Sequence, residues 1–319
     1  FAESLDTVVQ DLQRCRPTVF ISVPRLWLKF QLGVFQKFPE KRLQRLLSIP
    51  IVRGIVRRKV LKGLGLAHVR LAGSGSAPIP AELIEWYNKL GLHVLEGYGM
   101  SEDFAYSHMS TPALRRAGYV GVPCDGVETR ISEDGEIQIK SPGDMLGYYK
   151  APDLTAECYT ADGFFRTGDR GDYSAAGLLR ITGRLKEIFK TSKGKYVAPA
   201  PIENLLNADS HIELSCVSGP GRPASYATVQ LAEELKDKLD QESFRQQLTP
   251  KLEALLTSVN ERVEEYEKVQ FLAVVREDWD TANDFLTPTL KIKRNVVESA
   301  YGPFLDKWYE SGSKVIWPD

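Results

Sequence analysis

The sequence predicts a mixed fold in which α/β layers and a β-rich segment are followed by a small α+β module. Apolar residues at helical spacing over 3–16 precede a run at 18–23 that is typical of a buried strand. The same alternation returns with a helix at 81–90 and a short strand at 93–95. Layered α/β units place their ligand-binding loops at strand ends, so we expect functional loops there.

The pattern changes in the middle of the chain. Residues 135–141 and 177–182 alternate as strands do, which indicates antiparallel β structure. Later segments predict a helix near Pro201, strands at 213–217, 226–231 and 269–275, and paired helices between 242 and 267. A length of 319 residues favours about two domains. We therefore divide the chain into domains at 1–185 and 186–319.

The composition favours an ordinary soluble protein. It is 43% hydrophobic and 26% charged, with a net charge of -1, which argues against a nucleic-acid partner. Four widely spaced cysteines and four histidines offer no zinc ligand set, and a cytoplasmic setting is the simplest expectation. No apolar run approaches the roughly 20 residues that span a bilayer. Because Phe1 is not methionine and a helix interior follows, we expect a piece of a longer protein.

Residues 41–81 contain no acidic side chain, although apolar residues are interleaved with many cations. The cations are Lys41, Arg42, Arg45, Arg53, Arg57, Arg58, Lys59, Lys62 and Arg70. A basic amphipathic helix of this kind can lie on the surface of an anionic membrane. One expectation is therefore peripheral contact with the inner face of a membrane. The alternative is the solvated side of a helix pair that packs on the core, which is the commoner meaning of a charged run.

Two loops of small residues, 74–78 and 97–102, are separated by one helix and one strand. Small residues let the main chain approach a flat or charged ligand. Tyr98 could stack on a base, Ser101 could donate to a phosphate, and Glu102 offers a carboxylate oxygen of the kind that Mg²⁺ prefers. Glycine-bearing loops are often only turns, so a structural role stays open.

A second group lies further along the chain. Asp169 could accept hydrogen bonds from two ribose hydroxyls, and Arg184 could hold phosphate, although an internal salt bridge would explain both. A lysine-bearing and glycine-bearing loop at 191–195 follows. A third, basic loop at 287–294 precedes the last helix, and a solvated surface is its simplest explanation.

Several longer motifs occur together and in order. They are Ser22-Val23-Pro24-Arg25-Leu26-Trp27, Gly163-Phe164-Phe165-Arg166-Thr167-Gly168-Asp169, Lys195-Tyr196-Val197-Ala198-Pro199 and Leu286-Thr287-Pro288-Thr289. With the loops above, they resemble the adenylate-forming, AMP-binding superfamily of acyl-CoA synthetases and firefly luciferase. The long-chain fatty acyl-CoA synthetase branch is the most similar. The resemblance covers nearly the whole chain and implies the later part of the large domain followed by a small, mobile α+β domain.

The resemblance also implies roles for individual residues. Those that frame adenine would be Ser76, Ala77, Pro78, Glu96, Gly97, Tyr98, Gly99, Met100 and Ser101. Glu102 would bind Mg²⁺, Asp169 the ribose, and Arg184 the ribose and phosphate. Lys186 would be the hinge between domains, Gly194 would lie on the loop used for thioester formation, and Lys291 would be the adenylation lysine.

The implied reaction uses a fatty acid, ATP and coenzyme A, and passes through acyl-AMP. One family element is absent from these 319 residues, namely the Ser/Thr/Gly-rich phosphate loop with its following lysine, so we expect the chain alone to be inactive. Smaller departures are Leu290, Pro201 and the pair Asp103-Phe104. The alternatives are a relative that adenylates an aryl, short-chain or amino acid, and a non-catalytic nucleotide-binding fragment.

Overall fold

A computed structural model describes residues 7–287 and 291–318. The chain forms two compact units, Phe1–Ile181 and Thr182–Asp319. The domain boundary predicted at 185/186 remains a prediction. Within the described ranges, no helix has the length and apolar character needed to cross a bilayer. The mixed α/β fold class is confirmed, and each unit is described separately below.

The first unit begins with helices that cover a mostly parallel sheet. Its elements are α1 Val8–Cys15, β1 Val19–Ser22, α2 Pro24–Lys37, α3 Glu40–Ser48, α4 Pro50–Gly63, β2 Leu71–Ser74, α5 Ala81–Leu90, β3 Val94–Tyr98, β4 His108–Met109 and β5 Val122–Pro123. The strand order is β1-β2-β3-β4-β5, with β1, β2 and β3 parallel. The predicted helix at 81–90 is confirmed, and it ends because Gly91 adopts the left-handed conformation that terminates helices.

The expectation of a buried strand at 18–23 is wrong in one respect. The strand forms as β1, but Val19 is 54% and Ile21 68% exposed. Among the described residues, β1 pairs only with β2 and lies at the sheet edge. An apolar run therefore predicted the strand correctly but not its burial, because burial depends on which elements cover a strand.

A second sheet of four strands follows, and its last strand runs past Ile181, the last residue of the first unit, as far as Arg184. It contains β6 Glu128–Ile131, β7 Glu136–Lys140, β8 Phe165–Tyr173 and β9 Leu179–Arg184, with α6 Pro152–Glu157 between β7 and β8. The pairs β6–β7 and β7–β8 are antiparallel. This confirms the antiparallel structure predicted at 135–141, and the strand predicted at 177–182 forms as β9.

The second unit is built around one four-stranded sheet. Its elements are β10 Phe189–Lys190, β11 Tyr196–Val197, α7 Pro199–Leu206, β12 Ile212–Ser218, β13 Ser225–Leu231, α8 Glu233–Lys236, α9 Glu242–Asn260, β14 Val269–Val274, α10 Arg294–Tyr301, α11 Leu305–Glu310 and β15 Val315–Ile316. The sheet order is β12-β13-β14-β15, and β10 pairs with β11 as a separate hairpin. Helices α7 and α9 pack on the sheet through buried Ile202, Leu206, Leu252 and Leu256.

The paired helices expected between 242 and 267 are a single helix, α9. The side chain of Asn260 explains why it stops there. Its amide donates to the Val269 carbonyl at 2.8 Å, and its oxygen accepts the Val269 N–H at 2.8 Å. These two bonds join the end of α9 directly to the start of β14, and the intervening residues form turns.

Helices α2 and α5 of the first unit are joined by a buried contact. The Tyr87 hydroxyl donates to the Trp27 carbonyl at 2.7 Å, and the two rings pack edge to face with centroids 4.8 Å apart. Both side chains are fully buried, and burial raises the pKa of Tyr87 well above its ordinary value. The phenol therefore stays protonated and remains a donor.

We expect Tyr87→Phe to lower the free energy of unfolding by about 1–3 kcal/mol, because the Trp27 carbonyl loses a buried donor. Tyr149, which is 89% exposed, supplies the control, and Tyr149→Phe should change stability by less than about 0.5 kcal/mol. Urea denaturation followed by tryptophan fluorescence measures both variants. Equal stability of the two variants would contradict the assigned contact.

Candidate functional site

The two small-residue loops meet at one edge of the first sheet. Strand β2 ends at Ser74 and its parallel neighbour β3 ends at Tyr98, with Ser74 paired to Glu96. Ser76, Ala77 and Pro78 follow β2 directly and are exposed. The carboxyl ends of neighbouring parallel strands are where α/β sheets hold ligands, so these loops lie in a suitable position.

Tyr98 and Asp169 are 71 residues apart in the chain but adjacent in space. The Tyr98 hydroxyl donates to the Asp169 carboxylate at 2.8 Å, which joins the end of β3 to β8. Asp169 is buried. Burial, reinforced by the negative charge of Asp169, raises the pKa of Tyr98 well above its ordinary range. A phenol ring and a carboxylate are thus held side by side.

A β-bulge at Thr167–Asp169, a local turn of the chain within β8, fixes the position of that carboxylate. Gly168 has φ +69 and donates its N–H to a Glu136 carboxylate oxygen at 3.0 Å. The hydroxyl of Thr167 donates to the Ile137 carbonyl at 2.6 Å and accepts the Asp169 N–H at 3.0 Å. The turn is therefore tied to β7, and Asp169 sits on a rigid support.

Glu102 lies on a short 3-10 turn, Ser101–Asp103, just beyond β3. Its carboxylate accepts a hydrogen bond from the Tyr148 hydroxyl at 2.9 Å, and its carbonyl accepts the Met145 N–H at 2.7 Å. No sequence motif predicted this role for Tyr148, because 46 residues separate it from Glu102. Tyr148 is a positioning residue for the predicted metal-binding carboxylate.

Asp103, which had no interpretation from the sequence, holds the same turn in shape. It is buried and accepts the Met100 N–H at 2.8 Å. Burial raises the pKa of Asp103. The next two residues, Phe104 and Ala105, both adopt left-handed φ values, +56 and +55. Such values are typical of a tight turn. The pair Asp103-Phe104 therefore shapes the loop behind Glu102.

Gly99 is the one position in this loop where a side chain would not fit. A Cβ there would lie 2.7 Å from the main chain of Ala105, closer than real Cβ contacts allow. The turn also brings the Ala105 N–H to the Met100 carbonyl at 2.7 Å. The close return of the loop on itself thus requires glycine at 99.

The Glu96 carboxylate points toward a different loop. It accepts the Gly118 N–H at 2.9 Å, while the Glu96 carbonyl accepts the Ser110 N–H at 2.8 Å. Burial raises the pKa of Glu96 to about 8, although backbone donors from Gly118 and Tyr119 oppose the shift. Its side chain is committed to this loop, so a role in framing adenine would belong to its main chain.

In the second unit, the other predicted residues lie on separate segments. Arg184 ends β9, and the exposed Lys186 follows on the 3-10 turn Leu185–Glu187. Gly194 lies at the tip of the β10–β11 hairpin, where its φ of +79 and its N–H bond to the Thr191 carbonyl form the turn. The proposed roles of these residues remain predictions.

Lys291 is joined by two hydrogen bonds to Thr287, four residues earlier. The Thr287 N–H donates to the Lys291 carbonyl at 2.8 Å, and the Lys291 N–H donates to the Thr287 hydroxyl at 3.0 Å. The neighbouring residues Leu286 and Ile292 form an isolated antiparallel β-bridge. The departure at Leu290 lies outside the described residues.

A buried arginine anchors this loop at its base. The Arg294 guanidinium contacts the Glu203 carboxylate through two bonds of 2.8 and 3.1 Å, and donates to the Val217 carbonyl at 2.7 Å. Burial alone would lower the pKa of Arg294, but the charge of Glu203 outweighs it and the pKa is raised. Arg294, three residues after Lys291, is therefore attached to both α7 and β12, which restricts the position of the nearby Lys291 main chain.

Among the described residues, no group of three or more His, Cys, Asp or Glu side chains could form a metal site. The carboxylate of Glu102 could still contribute to Mg²⁺ binding, because this ion commonly takes one or two protein carboxylates together with nucleotide phosphates and water.

Two family models match the chain. The AMP-binding enzyme model matches residues 1–149, and the AMP-binding enzyme C-terminal domain model matches residues 186–313. Among curated proteins, a long-chain fatty-acid CoA ligase of Mycobacterium tuberculosis is 29% identical over 97% of this chain and 57% of its own length. Long chain acyl-CoA synthetase 3 of Arabidopsis thaliana is 30% identical over 97% of this chain and 53% of its own.

A solved structure gives a similar result. The A domain of carboxylic acid reductase from Segniliparus rugosus, in complex with AMP and a co-purified carboxylic acid, superimposes with a TM-score of 0.73 at 25% identity, over 96% of this chain and 49% of that one. The chain spans 50 to 60% of the length of the curated relatives it matches.

The buried carboxyl of Glu96 predicts a pH dependence of stability. Its pKa of about 8 in the folded protein, against 4.5 ordinarily, means that the folded state keeps a proton that the unfolded state releases. The contribution is therefore complete below pH 4.5 and is lost as the pH rises through 8.

We expect Glu96→Gln to remove this dependence, since the amide oxygen can still accept the Gly118 N–H. At pH 9 the variant should be more stable than the parent by about 1–3 kcal/mol, and near pH 5 the two should be similar. Urea denaturation at pH 5, 7 and 9 measures this. The exposed Glu82→Gln serves as control, and parallel pH profiles for parent and Glu96→Gln would contradict the assignment.

Proposed function

Because this chain belongs to the AMP-binding enzyme family, we propose that it carries nucleotide-binding and catalytic residues of a ligase that activates a long-chain fatty acid. The fatty acid would be converted through acyl-AMP to acyl-CoA. Its curated relatives include long-chain fatty-acid CoA ligases, which supports this choice of acid and acceptor.

The contact between Tyr98 and Asp169 carries the proposal. A nucleoside offers a flat ring and, nearby, two vicinal hydroxyls. Tyr98 supplies an aromatic face at the end of β3, and Asp169 supplies an acceptor for both hydroxyls. The hydrogen bonds that tie residues 167–169 to β7 hold the Asp169 carboxylate in place before a nucleoside binds, so little reorganisation is needed.

The first chemical step needs positive charge near the α-phosphate. An oxygen of the fatty carboxylate attacks the α-phosphorus, the bond to the bridging oxygen breaks, and pyrophosphate leaves. Negative charge grows on the phosphoryl oxygens, and the Lys291 ammonium would stabilise it. Mg²⁺, when bound, neutralises phosphate charge, and Glu102, oriented by Tyr148, would help to hold it.

The second step needs a different group. The coenzyme A thiol loses its proton to solvent and its sulfur attacks the acyl carbon; a thioester forms, and AMP leaves with the electron pair of the broken bond. The exposed hairpin tip at Gly194 would border the path of the thiol, and Lys186 would act as the hinge. Lys291 and Gly194 lie on separate loops of the second unit, which supports a division of labour between the two steps.

Adenylation of an aryl or short-chain acid is the second candidate. The A domain of carboxylic acid reductase, solved with AMP and a carboxylic acid, is similar over nearly the whole chain, which supports adenylation of a carboxylic acid without specifying its acyl group. The candidates share the first step and differ in the acid, so a binding assay that varies the acyl group separates them.

Binding of a non-reactive acyl-adenylate mimic, an acyl sulfamoyl adenosine, tests the nucleotide site on this chain. We expect Asp169→Asn to weaken binding about 10-fold to 100-fold, because a charged acceptor for the ribose is lost. The exposed Asp153→Asn on α6 should bind as the parent does. Calorimetry with palmitoyl, benzoyl and acetyl mimics then ranks the affinities for the three acyl groups. Equal affinity of the Asp169→Asn and Asp153→Asn variants for the mimic would contradict the assigned role of Asp169.

The two steps can be separated in a form of the protein that turns over. Lys291→Ala should slow acyl-AMP formation about 100-fold or more while sparing thioester formation from preformed acyl-AMP. Gly194→Leu should do the reverse, because a branched side chain strains φ +79 and narrows the thiol path.

Lys293→Ala, two residues from Lys291, is the matched control and should spare both steps, because the Lys293 side chain pairs with Asp284. Single-turnover assays starting from ATP plus palmitate, or from acyl-AMP plus coenzyme A, give the two rates. If Lys291→Ala and Gly194→Leu each lose both steps equally, the division of roles is wrong.

A further inference from the structure

The basic, acid-free segment 41–81 forms a helix pair whose outer surface combines exposed isoleucines with exposed cations. Helices α3 and α4 pack on the core through Leu43, Leu47 and Val60, all buried. The alternative that these helices pack on the core is thus correct for one side of the pair. It does not account for the other side, where Ile51 is 88% and Ile55 70% exposed.

Four exposed residues follow one line along α4. Ile51, Ile55, Arg58 and Lys62 recur every three or four positions and so lie on one side of the helix, opposite the buried Val60. We name this line the α4 stripe. It is apolar in its first half and cationic in its second. Ile49, also exposed, precedes the helix and extends the apolar end.

Apart from Glu40 at the start of α3, the charged residues of the two helices are cations. Lys41, Arg42 and Arg45 are exposed on α3, and Arg53 and Lys59 on α4. In the described part of the chain, no salt bridge engages any of these cations. A protein with a net charge of -1 therefore concentrates unpaired positive charge around exposed isoleucines.

We propose that the α4 stripe is a docking surface for an anionic lipid bilayer, on which α4 lies parallel to the membrane plane. The isoleucines would enter the boundary between headgroups and acyl chains, while Arg58, Lys62 and the α3 cations would contact lipid phosphates. A helix of 14 residues is about 21 Å long, enough for a surface-lying anchor but short of a bilayer span.

The isoleucines decide between a membrane and other anionic partners. A nucleic acid would use the cations but would gain nothing from the two exposed aliphatic side chains of Ile51 and Ile55. A bilayer uses both, since apolar insertion and charge attraction add. This inference does not depend on the identity of the acid or on any catalytic residue.

Vesicle flotation with the full 319-residue chain tests the proposal. We expect binding to phosphatidylcholine vesicles containing 30% phosphatidylglycerol to be at least about 10-fold stronger than to pure phosphatidylcholine, and to weaken between 0.05 and 0.5 M NaCl. Ile51→Ser/Ile55→Ser and Arg58→Gln/Lys62→Gln should each reduce binding about 10-fold. All four substitutions are at exposed positions, and circular dichroism melting verifies folding.

Matched controls lie elsewhere on the molecule. Leu146→Ser/Leu154→Ser removes two exposed leucines, and Lys238→Gln/Lys251→Gln removes two exposed lysines; both should bind vesicles as the parent does. Equal binding to neutral and anionic vesicles, no binding to either, or retention by both stripe variants would overturn the proposal. So would preferential binding to duplex DNA, or self-association in sedimentation velocity that only the isoleucine variant abolishes.

Discussion

The hydrogen bond between Tyr98 and Asp169 is the constraint on which the candidate nucleotide site depends. It joins the last residue of a parallel strand to a strand of the neighbouring antiparallel sheet. Burial keeps the phenol protonated and therefore a donor. The bond fixes the separation between an aromatic face and a carboxylate, and the surrounding turns at 99–105 and 167–169 are built to preserve it.

Positioning in the second unit rests on a different kind of interaction. The Arg294 guanidinium is largely buried, and it bonds to two oxygens of Glu203 and one backbone carbonyl, although its Nε has no hydrogen-bond partner. Glu187, next to the predicted hinge residue, lies 3.7 Å from the same guanidinium. One cation thus connects the base of the Lys291 loop to the segment that begins the unit. Such a buried pair contributes to positional specificity more than to net stability.

Local signals predicted much of this fold. Gly91 ended α5 where the pattern placed it, and alternation identified β7 and β9. Burial of β1 was mispredicted because an apolar run does not reveal which side of a strand is covered. The prediction of a second helix after α9 was wrong. The end of α9 depends on the hydrogen bond from Asn260 to Val269, nine residues later, which no local pattern reveals.

The site shows the same limit. Motifs identified Tyr98, Glu102 and Asp169, but no spacing rule could show that Tyr98 and Asp169 touch, or that Tyr148 orients Glu102. Glu96 is expected among the residues that frame adenine, which stays a prediction, but no spacing rule could show that its carboxylate accepts the Gly118 N–H. Contacts between residues distant in sequence require the three-dimensional fold, and these are the contacts that orient functional groups.

The two successive left-handed residues behind Glu102 have an energetic consequence. Neither Phe104 nor Ala105 is glycine, so each adopts a backbone conformation that costs of order 1 kcal/mol or more. The turn keeps this strain because the buried carboxyl of Asp103 and the packing at Gly99 leave it no alternative. Selection for thermostability would relax the turn with glycine at 104 or 105, and the carboxylate of Glu102 would lose its fixed direction. Strain retained at this loop thus sets a trade-off between the durability of the fold and the precision of its site.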